Sequence, residues 1–380
     1  MPHSKQRYLF IDLLRFLAVL LMIQGHTFDA SLNLNIRQHE MYFLYDFFHG
    51  LVAPMFLFAS GVAFGISTLK KWEEHIVLNG RVAKRIGRFI GLLVIGYALH
   101  LPFFSFTKIV NEATETEIAA FLQVDALHCI AVTLLALQII VLAVRTEKRF
   151  ILTVGILAAI AVFLSPIVWS MSFLDIVPLW LVSYLNAENN SWFPLFPWSG
   201  YILSGVLFSR LFMNAKEHRH AVVLMKQGMA LGVLSFIVPL YFITIPFDIY
   251  PLHDVWKANP LIFVSRIGFI MVVTGAVFFA EHRMKIRSAV PQVMGRESLF
   301  IYILHLVILY GSVMNKGLQQ SITSGLTVIQ SFAIFLLIAG ISALSAFGWH
   351  HFKKRYRYPA IAVQMSIAGI FIFLFMTRPY

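Results

Sequence analysis

Eleven stretches of mostly apolar residues follow one another along the 380-residue chain, each about as long as a helix needs to cross a bilayer. That length is roughly 20 residues, with a range of about 17–25. The stretches run near 8–28, 46–69, 86–106, 121–144, 150–169, 197–212, 221–245, 260–280, 297–314, 326–347 and 359–377. Helices are the spanning element they imply, because period-2 alternation is absent and backbone groups in lipid must pair internally. The expected fold is an all-α polytopic membrane protein of ten to eleven transmembrane helices. Charged residues make up only 13% of the chain, against about 25% in soluble domains. That excludes a soluble enzyme, a disordered chain and a nucleic-acid binder. Cys129 is the single cysteine, so an internal disulfide and a cysteine-built metal site are excluded as well. The first stretch lacks a small-residue cleavage site and carries Asp12 and Arg15, so it reads as a helix, not a signal peptide. The fifth is the least regular, and the segment 175–185 reads as a re-entrant or interfacial helix.

The net charge of +12 follows the order of the gaps. Gaps after odd-numbered helices hold only Arg37, Lys108, Lys257 and Lys316. The others hold Lys70, Lys71, Arg81, Lys84, Arg85 and Arg88, then Arg145, Lys148 and Arg149, then Arg210, Lys216, Arg219 and Lys226. Further along come Arg283, Lys285, Arg287 and Arg296, and last Lys353, Lys354, Arg355 and Arg357. Cytoplasmic loops concentrate Lys and Arg, so this alternation predicts a cytoplasmic N-terminus and an external C-terminus. The basic excess is mostly topology. No soluble domain or internal repeat interrupts the chain, which reads as one membrane domain over 1–380.

Ionisable residues inside spans cost roughly 2.5–3.5 kcal/mol each on insertion scales and therefore mark functional sites. Asp12 and Arg15 share one face of the first helix at i,i+3 spacing, where a local ion pair is the structural reading. His26 lies eleven residues beyond Arg15, close to three full turns, so both point to the same side about 16 Å apart along the axis. Asp46 and His49 open the second helix, and Asp125 and His128 open the fourth, both at i,i+3. Trp198 opens the sixth helix after two prolines, and Arg266 lies in the eighth. Each has a structural reading: an interface aromatic for Trp198, a helix cap for Asp125 and His128, a carboxylate partner for Arg266. Together they point to a polar cavity opening outward. The two Asp-x-x-His pairs suit a metal site on a helix face or a carboxylate-oriented general base. No third ligand is fixed by the sequence, so the base is the preferred reading and no metal is expected. His305 lies two turns into the ninth helix, near mid-membrane, and reads as a hydrogen-bonded interior residue.

These residues resemble a superfamily of transmembrane acyltransferases. Arg7-Tyr-Leu-Phe-Ile-Asp12-Leu-Leu-Arg15 followed by Met22-Ile-Gln-Gly-His26 is similar to the start of bacterial acyltransferase family 3 proteins, with their Arg-x10-His motif. The block Tyr45-Asp46-Phe-Phe-His49-Gly50-Leu-Val-Ala-Pro54 running to Gly61, with Phe196-Pro197-Trp198-Ser-Gly200 and Gly295-Arg296-Glu297-Ser298-Leu299 before His305, resembles the catalytic domain of heparan-α-glucosaminide N-acetyltransferase and its bacterial relatives. The resemblance covers about 7–310 and leaves two extra C-terminal helices, about 326–377. Two departures stand out. Phe16 occupies the place of the family's usual Gly, and His26 stands where the heparan enzyme tends to carry Asn, its catalytic His lying in the following luminal loop.

The resemblance implies acyl transfer from cytoplasmic acetyl-CoA to an extracytoplasmic sugar, glycan or glycolipid acceptor, in a bacterial cytoplasmic membrane. Arg81, Arg85, Arg88 and Arg296 would hold the CoA phosphates, with Arg15 at the entrance of the pantetheine arm. His26, His49 or His39, in that order of preference, would act as general base or acyl carrier. Asp46 or Asp125 would orient it, with His128 beside Asp125. Arg266 would stabilise the oxyanion or hold the acceptor beside Trp198. The lipid bilayer and a carbohydrate acceptor are the expected partners. The competing readings are a secondary transporter of a small anionic or sugar-like solute, which would show internal repeats and broken helices, and a structural subunit, which leaves the polar face of the first helix unexplained.

Overall fold

A computed structural model of the chain describes residues 8–245, 249–284, 289–322 and 325–378. Arg7, Lys285 and Arg287, used in the sequence reading, lie outside the described residues. All eleven apolar stretches form helices. The two-residue strands Gly311–Ser312 and Asn315–Lys316 make a small antiparallel pair. Among the described residues seven helices are long and apolar enough to span: Leu9–Ser31, Glu40–Leu69, Ala126–Val144, Ala221–Ile243, Pro260–Glu281, Val328–Arg355 and Arg357–Thr377. An eighth span arises if Ala289–Arg296 and Ser298–Leu309, bent by 75°, are one crossing. The three remaining stretches are helical but shorter or more polar. Gly80–Leu99 begins with Arg81, Lys84, Arg85 and Arg88, Glu147–Phe163 has 17 residues, and Leu195–Glu217 carries Ser199, Ser204, Ser209 and Arg210 and is non-helical at Phe196. The segment expected to be re-entrant or interfacial holds the short helix Leu179–Leu185.

The chain divides into two compact units. The first comprises residues 1–52, 101–118 and 285–380. At its centre Leu9–Ser31 packs against Ala289–Arg296, Ser298–Leu309 and Val328–Arg355. An interhelical hydrogen bond from Ser31 Oγ to Ser331 Oγ, 2.8 Å and buried, joins two of these helices where lipid gives little drive to associate. Leu326 N donates to Ser31 O at 2.7 Å, which fixes the end of Leu9–Ser31 beside the entry to Val328–Arg355. The ninth apolar stretch differs from expectation: the bend falls at Glu297, where a straight helix was expected to run on from Gly295. The buried Glu297 carboxylate accepts from Lys353 Nζ at 2.5 Å and meets His350 Nδ1 at 3.1 Å. An acidic residue removed from water is stabilised there by charge-assisted bonds. On Arg357–Thr377 only Ala360 is buried, while Ile361, Met365, Ile367, Ile370 and Phe373 are exposed. An apolar surface on this scale belongs against lipid.

The second unit comprises residues 53–100 and 119–284. Gly80–Leu99 packs on Ala126–Val144, Glu147–Phe163 on Leu195–Glu217, and Ala221–Ile243 on Pro260–Met284. Gly61 and Gly205 bring the backbones of Val52–Leu69 and Leu195–Glu217 into contact. A Cβ on Gly61 would lie 1.9 Å from Ile202 O, and one on Gly205 would lie 2.2 Å from Phe58 O. Small residues at such crossings replace hydrophobic drive by close backbone approach.

Candidate active site

The first unit gathers one polar cluster around the second half of Leu9–Ser31, the helix that carries Gln24, His26 and Asp29. Beyond it the chain turns at Asn33, whose side chain accepts from Asn35 N, and enters Glu40–His49. The Arg37 guanidinium donates to Phe28 O at 3.2 Å and to Asp29 O, which satisfies carbonyls at the C-terminal end of the first helix. Tyr42 Oη donates to Asp29 Oδ1 at 3.3 Å, and Tyr45 Oη donates to Gln24 Oε1 at 3.2 Å. One turn further, His49 lies stacked on Tyr45, ring centroids 5.9 Å apart and planes within 5°.

The His49 imidazole rests directly on the backbone of Gly25. A Cβ at that position would come within 1.6 Å of His49 Cε1 and 2.1 Å of Nε2. The sequence Gln24-Gly25-His26 therefore lets the His49 ring settle beside the residue that bears the first imidazole. On the other flank, the His26 ring centroid lies 5.4 Å from that of His305 and 5.8 Å from that of Tyr310. His26 Nδ1 and Tyr310 Oη are 3.3 Å apart, and Tyr310 Oη also donates to His26 O at 3.3 Å. One hydroxyl proton serves one acceptor. When it goes to the carbonyl, Nδ1 is the donor and the basic lone pair of His26 sits on Nε2. His305 is fully buried, and its Nδ1 faces Ile301 O at 2.8 Å. Its proton is therefore on Nδ1, and Nε2 is a lone pair with no partner among the described residues. Three imidazoles, three phenol hydroxyls and a carboxamide thus gather around the second half of this helix. Such a group can take up, hold and pass a proton.

The structure places the other sequence candidates as follows. His39 is exposed and caps Glu40–His49, its Nδ1 accepting from Met41 N at 3.2 Å. Asp46 is exposed, one turn before His49. Asp12 is buried and Arg15 half-buried on the same helix as His26, nearer its start. Arg296 is exposed at the end of Ala289–Arg296. The remaining candidates belong to the second unit. Asp125 caps Ala126–Val144 in a reciprocal capping box with His128, Oδ1 to Nδ1 being 2.7 Å. Arg266 sits over the Trp198 ring at 5.6 Å, and Arg266 Nη1 and Trp198 Nε1 are buried donors without a partner among the described residues.

The three arginines of Gly80–Leu99 differ in availability. Arg85 donates to Thr68 Oγ1 at 2.8 Å and Ser67 Oγ at 3.2 Å, and its guanidinium lies 4.0 Å from the Phe64 ring centroid. It is committed to packing. Arg81 pairs with the exposed Glu74, and Arg88 is exposed. The Arg81 hydrogen bond, then that of Lys71, holds the Glu74 carboxyl below its ordinary value.

Sequence reasoning did not single out Tyr310, Tyr45, Gln24 or Asp29, and it set His305 aside as an interior residue. Gln24 and Tyr45 stand inside the blocks that carried the resemblance, which was the available signal. Nothing in the spacing announces Tyr310, which follows the end of Ser298–Leu309.

The family model for heparan-alpha-glucosaminide N-acetyltransferase, catalytic, matches residues 7–246. The match includes His26, His49 and the blocks around Asp46 and Trp198, and ends before His305 and Tyr310. No curated protein matches the chain. The matched segment is nearly two thirds of the sequence, and it contains the helices that carry His26 and His49. The chain belongs to the heparan-α-glucosaminide N-acetyltransferase catalytic family of transmembrane acetyltransferases.

Proposed function

We propose that this protein moves an acetyl group from acetyl-CoA on the cytoplasmic side of a bacterial cytoplasmic membrane to a hydroxyl or amine of an extracytoplasmic carbohydrate or glycolipid. The observation that carries the reading is the imidazole cluster that His49 and His305 build around His26 of Leu9–Ser31, a helix that the acetyltransferase family match covers. The topology drawn from the basic gaps puts Arg15 near the cytoplasmic end of this helix and His26 towards the outside. Arg15, Arg81, Arg88 and Arg296 are the cations offered to the donor. Arg85 is already engaged by Ser67, Thr68 and Phe64, which makes it the weakest of the original candidates.

His26 accepts the proton of the acceptor nucleophile as the acceptor oxygen or nitrogen attacks the thioester carbonyl. CoA leaves as the thiolate, and the collapsing tetrahedral intermediate releases the acetylated product. His305, with its lone pair on Nε2, is placed to share the proton. The alternative covalent route, with His49 or His26 carrying the acetyl group, uses the same residues. Within the second unit, Arg266 and Trp198 offer unpartnered donors among the described residues and an aromatic face of the kind that holds a sugar. The carboxylates of Asp46 and Asp125 remain candidates for orienting an imidazole, and His39 serves as a helix cap.

The test is acetyl-CoA binding and transfer by purified protein in detergent. Arg15→Ala should weaken binding of acetyl-CoA. His26→Ala should retain binding and lose transfer to a panel of glycosides by about 10²–10⁴-fold, the range for a general base. A folded wild-type protein that binds neither acetyl-CoA nor a longer acyl-CoA would overturn the reading in favour of a transporter.

A further inference from the structure

The sequence offers two Asp-x-x-His pairs and no third ligand for either. In the second unit the fold supplies one. His100 follows the last turn of Gly80–Leu99, and Asp125 and His128 stand at the first turn of Ala126–Val144, the helix packed against it. Three potential ligand atoms, one from each of these side chains, lie within 4.8 Å of one another. Asp125 is 8% exposed and His128 fully buried. His100 Nδ1 is a buried nitrogen with no partner among the described residues. The capping box accounts for the Asp125–His128 contact. It gives no reason for a second imidazole to stand over that pair, its ring within 6° of parallel to His128 and its centroid 5.6 Å away.

We propose that His100, Asp125 and His128 bind a divalent first-row cation of the zinc class. Two imidazoles and one carboxylate are borderline ligands of the kind zinc takes in sites that keep an open position. The charges suit a cation. Asp125 brings a full negative charge, and His100 lies at a helix C-terminus, where the unpaired carbonyls concentrate partial negative charge. The Tyr97 ring, with its centroid 4.3 Å from that of His128, holds the buried imidazole in place, and its hydroxyl is tied to Tyr184 Oη at 3.1 Å.

Binding requires a small rearrangement. Ligand atoms around a tetrahedral ion with bonds of roughly 2.1 Å are about 3.4 Å apart. Asp125 Oδ1 and His128 Nδ1, now 2.7 Å apart, open by some tenths of an ångström as the cation replaces the proton between them. The displaced proton moves to His128 Nε2 or leaves to solvent. His100, half-buried where the other two are buried, is the side chain with room to turn inward. A bound ion clamps the end of one helix to the start of the next.

The site is read from metal content, which is independent of whether the protein transfers acetyl groups. Wild type is purified through an affinity tag without histidines, loaded with Zn²⁺, passed through a desalting column and assayed for zinc by mass spectrometry. About one zinc per chain is expected, with background levels in His100→Ala, His128→Ala and Asp125→Asn and an unchanged value in the half-buried control His253→Ala. Cobalt(II) in place of zinc should give visible d–d absorption that vanishes in the same variants, and chelator should lower the melting temperature of wild type and of His253→Ala but not of the ligand variants. Should the alanine variants fail to stay monodisperse, His100→Gln keeps volume and polarity at the ligand with most freedom and serves as the deciding variant. Folded wild type with no more zinc than the His100→Ala, His128→Ala and Asp125→Asn variants, or zinc that persists in His100→Gln, would overturn the proposal.

Discussion

Gly25 is where geometry and stability make opposite demands, and Gly25→Ala separates them. The added Cβ would sit 1.6 Å from His49 Cε1, 2.1 Å from Nε2 and 2.3 Å from Nδ1. Ordinary carbon contacts begin near 3.5 Å, so the imidazole must withdraw by roughly 2 Å and slide off the Tyr45 ring. Losing the aromatic stack costs about 0.5–1.5 kcal/mol. Replacing Gly by Ala in a helix interior returns about 1 kcal/mol. The melting temperature should therefore change little. Activity should not be spared: a displacement of about 1 Å can cost on the order of 100-fold in rate. We expect acetyl transfer to fall by at least that factor while acetyl-CoA binding holds. Gly155→Ala in Glu147–Phe163, where nothing lies within 4 Å of the added Cβ, is the control for the helix-propensity gain. Gly25→Ala combined with His49→Ala should be no worse than His49→Ala alone, because the clash then has no partner. Full activity in Gly25→Ala would refute the placement of His49 at the site. Equal loss in the Gly155 control would refute the geometric explanation.

Two further perturbations probe the scaffold. Glu297→Gln leaves Lys353 and His350 facing a neutral carboxamide at a bend where the carboxylate was 7% exposed. Because the Lys353 side chain is itself 34% exposed, water recovers part of the loss, and the destabilisation should be about 1–3 kcal/mol, below the 3–5 kcal/mol of a fully buried pair. Thermal unfolding in detergent checks it, and an unchanged midpoint would show that the bend does not depend on this charge. Glu74 offers a pH test. Arg81 and Lys71 lower its carboxyl pKa in the folded chain, so its stabilising contribution is present above the ordinary carboxylate value and is lost as pH falls through the lowered folded value. Wild type should exceed Glu74→Gln in stability near neutral pH, the gap closing in that acid window and shrinking in high salt. A gap that persisted at lower pH would rule out the ion pair as its cause.

Much of the fold was legible because lipid imposes one rule on every crossing: apolar side chains outside and backbone groups paired within the helix. Each apolar stretch became a helix for that reason. What the hydropathy could not contain was the bend at Glu297. A straight helix through Gly295 and His305 satisfies the same apolar pattern, and the groups that meet Glu297 at the bend, Lys353 and His350, lie more than fifty residues away. The start of the second span was misplaced for a related reason. His39 caps a helix beginning at Glu40, and its mixed composition hides the turns before Asp46.

The site divides along the same line between local and distant information. Spacing along one helix was enough to pair Arg15 with His26 and Asp125 with His128, because 3.6 residues per turn converts sequence separation directly into a shared face. The partners that give these residues chemical meaning arrive from elsewhere in the chain. His305 and Tyr310 reach His26 across 279 and 284 positions, and His49 reaches the first helix only because residue 25 has no side chain. A periodicity argument is blind to such encounters: it ranks faces within an element and carries no term for which two faces meet. The same blindness kept His100 from being seen beside Asp125 and His128, since it stands at the end of another helix. Tertiary contact therefore changes the question asked of a histidine, from whether its own helix offers a carboxylate to whether a neighbouring helix leaves one of its nitrogens without a partner. By that criterion His305 Nε2 and His100 Nδ1, neither of them singled out by spacing, join His128 Nε2 as the buried histidine nitrogens without a partner among the described residues, and a ligand or a proton would alter the surroundings of each.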